Sequence, residues 1–177
     1  MAVLTEAERD AFLAEPGHLL RVGTIDEDGT PRVLPVWFLY KEGSILFTPR
    51  GRSILEANLK RDLRVGMSID EDAAPYRKAT ISGRARVIYE AGRDAEWREI
   101  YRAIATRYVP EEWADRYIEE TADQPRPLYG LPLAEAHVST WRMPLAGENP
   151  AGIWARRYYV PGTPAARRAT ERYPAND

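Results

Sequence analysis

Residues His18–Thr48 read "HLLRVGTIDEDGTPRVLPVWFLYKEGSILFT". Three runs rich in Val, Leu, Ile and aromatic residues are separated by two turn signals, Asp28-Gly29 and Lys41-Glu42-Gly43. Such runs suit a pleated, half-buried surface, and Asp-Gly tolerates the backbone angles of a tight hairpin. The stretch predicts three antiparallel strands. The middle one, Arg32 to Tyr40, contains Pro35, which cannot donate to a ladder, so an edge or a bulge is expected there. Edges and bulges are where a sheet opens to a ligand.

Upstream, "TEAERDAFLAE" places Glu8 three residues after Thr5, a capping-box spacing. It predicts a short helix that ends near Pro16-Gly17 and buries Phe12 and Leu13. Downstream, Ser53 to Arg61 reads as a short helix, "LRVGMSID" as a fourth strand and "YRKATISGRARVIYE" as a fifth. The period then changes: Trp97, Ile100, Tyr101, Ile104 and Tyr108 recur at helical spacing. A second helix, around Glu111 to Glu120, offers Trp113, Tyr117 and Ile118 to a core. "DQPRPLYGLPLAE" is broken by Pro125, Pro127 and Pro132 and reads as a loop or irregular extended segment; "AHVSTWRM" reads as a last strand. The fold class expected is mainly β with some α: a mostly antiparallel barrel or sandwich with short helices and a helical insertion. Residues 1–143 make this domain, and 144–177 form a tail that packs on it or across a partner, with Trp154 and Tyr158 as anchors.

Composition narrows the chemistry. The chain has 177 residues, a net charge of -2, 44% hydrophobic residues and 29% charged ones, ordinary values for a globular protein. There is no cysteine, which excludes disulfides, thiolate metal sites and cysteine nucleophiles, and two histidines are few for a metal cage. The N-terminal stretch has no unbroken apolar run, so the expectation is a cytoplasmic protein with no membrane span. Arg and Tyr mix in the tail as nucleic-acid binders require, but the chain as a whole is slightly acidic, so nucleic acid is not the expected partner. No dinucleotide fingerprint, P-loop, zinc-protease motif or nucleophile elbow occurs. Chemistry, if present, comes from a cofactor that the protein binds and orients.

One stretch points to an anion. "TPRGRS", Thr48–Ser53, stands where the short helix begins. Helix starts expose unpaired N–H groups and the positive end of the dipole, and Arg50 and Arg52 add forked donors. Thr48 and Ser53 hydroxyls and the N–H groups after Gly51 complete a phosphate seat. The same residues allow a ligand-free alternative: Ser53 and Glu56 form a capping box of their own, and a carboxylate there repels phosphate.

Three ordered elements resemble a known family: "DGTPRVLPVWF", "NLKRDLRV" and "PYRKATISGRARV", all within Gly23–Ile88. Together they are similar to the pyridoxamine-phosphate-oxidase-like split barrels, most of all to the branch containing deazaflavin-dependent oxidoreductases. "HVSTWRM" also resembles the family's late strand. The resemblance implies a homodimer of six-stranded Greek-key split barrels with FMN or an 8-hydroxy-5-deazaflavin in a cleft between subunits. It implies that Val33, Leu34, Pro35, Val36 and Trp37 run beside the ring, that Thr48, Arg50, Arg52 and Ser53 sit by the phosphate, that Asn58 faces the ring or ribityl chain, that Tyr76 and Arg77 line the cleft, and that Trp141 arrives from the other chain. No catalytic side chain and no metal are implied, because hydride passes between cofactor and a small substrate. One departure is visible: Leu55 stands where relatives carry a Lys that contacts the cofactor tail. The functional expectation is a flavin- or deazaflavin-dependent oxidoreductase, with a non-catalytic flavin, haem or other anionic-cofactor binder as the alternative.

Overall fold

The turns form as their residues dictate. In a computed structural model, which describes residues 4–147 and 160–172, β1 (Leu20–Ile25) pairs with β2 (Pro31–Val36). Between them Gly29 takes φ +88° and its N–H donates to the Asp26 carbonyl at 3.0 Å. β3 (Phe38–Lys41) meets β4 (Ser44–Phe47) at Glu42-Gly43, whose φ values are 50° and 71°. Two successive positive angles are what a type I′ hairpin turn requires, and the second is free of strain only because it is glycine.

Two expected strands are each divided by a corner. Arg32 to Tyr40 breaks at Trp37, so that β2 lies in one sheet and β3 in another. At the break the Phe38 N–H donates to Tyr108 Oη at 3.1 Å instead of to a neighbouring strand. Likewise Tyr76 to Glu90 breaks at Ala85 into β6 (Lys78–Arg84) and β7 (Arg86–Tyr89), and the Ala85 N–H donates to the Leu63 carbonyl at 2.8 Å. With β5 (Arg64–Asp70), β8 (Leu128–Pro132) and β9 (His137–Trp141), the sheets read β2-β1-β5-β6-β9 and β3-β4-β8-β7. The mainly antiparallel β class with short helices therefore holds, as two sheets with shorter and more numerous strands than the six expected. β2 is an edge strand, which accommodates Pro35 without loss of a ladder bond.

β8 is a correction. Asp123 to Glu135 is not all loop: Leu128–Pro132 lies between β4 and β7 and pairs with both. Pro125 and Pro127 precede the strand and Pro132 ends it, so its interior keeps every N–H. Leu128, Tyr129, Gly130 and Leu131 are all buried, so the alternation that signals a half-exposed strand is missing.

The core lies between the sheets. Leu20, Val22, Phe38, Ile45, Phe47, Met67, Ile69 and Ile81 fill it, capped by Phe12 and Leu13 of α1 (Glu6–Ala14) and by Leu55 and Leu59 of α2 (Ile54–Arg61). The expected Thr5–Glu8 capping box is present in both directions. A second cluster forms where α3 (Arg98–Ala105) and α4 (Glu111–Glu120) cover the four-stranded sheet; Trp97, Tyr101, Ile104, Ile118 and Leu128 are buried there. Trp113 does not join it and is 65% exposed. Within the tail, α5 spans Pro164–Arg172, and Trp154 and Tyr158 lie outside the described residues. Among the described residues no helix is long and apolar enough to cross a membrane.

Candidate functional site

A cavity of about 330 Å³ opens where the Trp37 corner, the basic turn and the helical insertion meet. Leu34, Pro35, Val36 and Trp37 form one wall; Thr48, Pro49 and Arg50 form the next; Ser53 and Leu55 of α2 follow; Tyr101, Ile104, Tyr117 and Arg126 close the far side. Trp37 is held by a near-parallel stack on Tyr108, with centroids 5.1 Å apart and planes 5° apart. The order follows from the corner: the break at Trp37 turns the end of β2 toward α3 and α4, whose inward face is aromatic.

Most donors of the basic turn have internal partners. Ser53 Oγ accepts the Glu56 N–H at 3.2 Å, and the buried Glu56 carboxylate accepts the Arg52 N–H and pairs with Lys60 Nζ at 2.8 Å. The helix start is thus satisfied by its own side chains, as the capping alternative requires. The Gly51 N–H donates to the Pro125 carbonyl at 3.0 Å, and Thr48 Oγ1 donates to the Pro127 carbonyl at 2.8 Å. The guanidiniums diverge. Arg52 has φ 63°, is exposed and does not line the cavity. Arg50 does line it, and its Nη2 donates to Tyr117 Oη at 3.2 Å.

Arg126, which the sequence reading did not single out, is the second cation of the cavity. It is 5% exposed, its Nη2 donates to Tyr117 Oη at 3.1 Å, and its Nε has no partner. Its guanidinium carbon lies 5.0 Å from the Tyr101 ring centre and 5.6 Å from that of Tyr117. Among the described residues no carboxylate pairs with the guanidinium of Arg50 or Arg126, although Asp94 Oδ1 accepts the Arg126 backbone N–H at 2.8 Å, and none lines the cavity. Burial pushes the Tyr117 phenol up, but the Arg50 hydrogen bond and the nearby Arg126 charge outweigh it, leaving it below the ordinary tyrosine value. Tyr101, with burial as its main influence, is raised.

Of the expected site residues, the structure brings together Leu34, Pro35, Val36, Trp37, Thr48, Arg50 and Ser53. It does not bring the others. Val33 alternates to the outer face of the sheet, is 63% exposed and borders a shallow groove beside Gly23 and Gly66. Asn58 is buried; its Nδ2 donates to Thr24 Oγ1 at 3.1 Å and to Asp26 Oδ1 at 2.7 Å, which ties α2 to the first hairpin. Tyr76 is exposed with φ 53°. Arg77 forks onto Glu15 and Glu71, 2.7 Å from each, and lies over the Phe12 ring. Trp141 is buried within its own chain, with Lys78 Nζ 5.3 Å from its ring centre. Glu15, His18 and Glu71 are close enough together to hold a metal ion, but both carboxylates are already bound by Arg77.

Sequence reading missed Tyr101, Ile104, Tyr117 and Arg126 as cavity residues. The helical period of the insertion marked the first three as buried, and only the fold turns that face onto the Trp37 corner. For Arg126 the available signal was "QPRP": each flanking proline leaves a carbonyl for the basic turn to bind.

Residues 5–140 match the family model described as pyridoxamine 5'-phosphate oxidase. No curated protein matches the chain. Among solved structures, a conserved hypothetical protein from Mycobacterium tuberculosis is similar, with a TM-score of 0.62 and 20% identity over 84% of this chain and 94% of that one. An FAD and heme binding protein from Mycobacterium smegmatis gives a TM-score of 0.59 at 19% identity, covering 78% and 71% of the two chains. A FAD-binding protein from Mesorhizobium loti gives 0.56 at 15%, covering 79% and 94%. At these identities the likeness shows a shared fold.

Proposed function

Because this chain belongs to the pyridoxamine 5'-phosphate oxidase family, we propose that it binds a flavin-type redox cofactor, FMN or a deazaflavin, and moves hydride to or from a small organic substrate. The observation that carries the reading is the cavity's composition: an apolar, aromatic wall of Leu34 to Trp37 opposite two guanidiniums with no carboxylate between them. A planar ring with an anionic tail fits that set, because guanidiniums are forked donors to anionic oxygens. A flavin held there would supply the hydride chemistry itself, so no nucleophile is asked of the protein.

The chain's own groups do the rest. Trp37, fixed by its stack on Tyr108, and Leu34 and Val36 would hold the ring, and Leu55 and Ile104 would exclude water from it. Arg50 and Arg126 would orient the anionic end, with Tyr117 Oη accepting a hydrogen bond from each. The FAD-binding proteins of the same fold support a flavin ligand. We place the homodimer implied by the resemblance in the same proposal. Exposed Ile25 and Val33 in the groove beside Gly23 and Gly66 favour coverage by a second copy, and sedimentation of the purified protein at twice the monomer mass tests it.

The test of the cofactor is the visible spectrum of the protein as purified, followed by titration with FMN and with a deazaflavin. Micromolar binding of one is expected, and binding of neither defeats the proposal. A second reading, a cofactor holder without turnover, is favoured by the lining: among the described residues no histidine or carboxylate lines the cavity, and Leu55 stands where a Lys was expected. Steady-state turnover of the loaded protein with a reductant removes that reading.

A further inference from the structure

α4 has one face that its packing leaves open. Its buried stripe is Ala114 and Ile118, and on one flank Glu111 and Asp115 are taken up by Arg102, at 3.1 and 2.6 Å. On the other flank Trp113, Arg116, Tyr117 and Glu120 recur at the spacing that places side chains on one helix face, and they border a groove of about 350 Å³. Trp113, which the helical period offers to the core, is 65% exposed and is the one large apolar residue of α4 left in solvent. Arg116 is exposed as well, and among the described residues no carboxylate pairs with it.

Tyr117 joins this groove to the cavity, because it lines both. Its ring meets the Trp37 ring edge-on, with centroids 6.0 Å apart, and its Oη accepts from Arg50 at 3.2 Å. One side chain is therefore a wall common to the two spaces. A protein partner is the poorer occupant of the outer one. A stable interface takes about 800 Å² from each side around an apolar centre, whereas here a single indole stands among the charges of Arg116 and Glu120. A flat ring needs only one indole face, and aromatic pairs gain from stacking beyond the area they bury. Arg116 adds a forked donor for an anionic group, and Glu120 on the same groove disfavours a second negative charge. We infer that the outer face of α4 holds the non-reacting end of the substrate, a planar aromatic ring carrying one negative charge, with Trp113 as its stacking surface and Arg116 as its counter-ion. The inference rests on the reading that the cavity handles a small organic substrate beside a flavin-type cofactor, and it gives that substrate a class.

The test is calorimetric titration of the wild-type protein, Trp113→Ala and Arg116→Gln with naphthalene-2-sulfonate, with 2-naphthol as its uncharged counterpart, and with FMN. Wild type is expected to bind both naphthalenes, the sulfonate more tightly. Trp113→Ala should weaken both about tenfold, and Arg116→Gln should weaken the sulfonate about threefold while leaving 2-naphthol unchanged. FMN affinity should be the same in all three proteins, and sulfonate binding should survive saturation with FMN. Sulfonate affinity unchanged in Trp113→Ala, or displacement of the sulfonate by FMN, would overturn the outer site and leave the flavin reading intact. Binding of the sulfonate that depends on Trp113 in a protein that binds no FMN would uphold the outer site and end the flavin reading. If Trp113→Ala fails to fold by circular dichroism, Arg116→Gln decides through the ratio of sulfonate to naphthol affinity: an unchanged ratio overturns the site.

Discussion

Arg77 and Arg126 are both drawn in from solvent, both lie against aromatic rings, and they do opposite work. Arg77 bridges Glu15 and Glu71 across α1 and the β5–β6 turn, so its charge is spent on the fold. Arg126 is more deeply buried, is tethered through its backbone and meets a phenol instead of a carboxylate. An arginine's function is set by what neutralises it. A cation supplied with acids inside its own chain is a clamp, whereas a cation positioned at structural cost and left without one is available to a ligand. "PYRKATISGRARV" made Arg77 look like a cleft residue, but Glu15, 62 positions away, is what claims it.

The largest effect expected comes from breaking the approach that positions Arg126. Gly51→Ala places a methyl 2.4 Å from the Pro125 carbonyl oxygen, so turn and insertion must separate. Backbone cannot yield as a flexible side chain does, and the cost expected is about 2–3 kcal/mol in urea denaturation. FMN affinity should fall in the same variant, because Arg126 loses one of its tethers.

Removing the clamp should cost less and leave the cavity alone. Arg77→Met strands Glu71, whose side chain is mostly buried, and Glu15, which is partly solvated. The destabilisation expected at neutral pH is about 1–2 kcal/mol, reduced by that solvation. Hydrogen bonds from Arg77 hold both carboxyls below the ordinary glutamate value of 4.5. Their stabilising contribution is complete above that value and is lost as the pH falls through the lowered ones. The gap between wild type and Arg77→Met should therefore narrow in acid denaturation as the pH drops below 4.5. FMN affinity unchanged in this variant would uphold the contrast between the two arginines; a large loss would break it.

Tyr117→Phe probes the bridge between the cavity's two cations. The phenol oxygen accepts from Arg50 and Arg126, at 3.2 and 3.1 Å. Losing one shared acceptor is worth about 1 kcal/mol, so FMN affinity should fall roughly fivefold while both charges remain. Ultraviolet difference titration supplies a second readout. The phenol that ionises below the ordinary tyrosine value should disappear in the variant, and in wild type it should move upward when FMN brings negative charge beside it.

How much was legible follows the same division between local and distant causes. The first hairpin, the Thr5 cap and α4 were readable because turn chemistry, capping and helical period act over a few residues. The corners at Trp37 and Ala85 were not, because they depend on Tyr108 and Leu63 supplying the partner of one N–H or another from elsewhere in the chain. β8 was hidden because a strand buried on both faces has no alternation and its prolines sit just outside its interior. Half of the cavity was legible for the same reason. Leu34 to Trp37 and Arg50 lie on the hairpin and turn that the sequence announces. Tyr101, Tyr117 and Arg126 reach the cavity only through the packing of the insertion against the second sheet.

Arg52 is expected to give the smallest effect, and it tests the rule most directly because it has neither feature that separates the other two. Its backbone N–H, which the Glu56 carboxylate accepts, belongs to the cap of α2, but its side chain is exposed and does not line the cavity. It is neither claimed by a carboxylate as Arg77 is nor buried without a counter-ion as Arg126 is. A solvated guanidinium outside the cavity is screened by water and salt from an anion held within it. Arg52→Ala should therefore change FMN affinity by about twofold or less in calorimetry, against a loss of about tenfold expected for Arg126→Gln, whose guanidinium lines the cavity. The residue retains its N–H, so the cap of α2 and the melting temperature should also hold. A tenfold loss on this substitution would mean that the phosphate sits at the start of α2 after all, with Arg52 swinging in from solvent to meet it, and that burial is a poor guide to which cation a ligand uses.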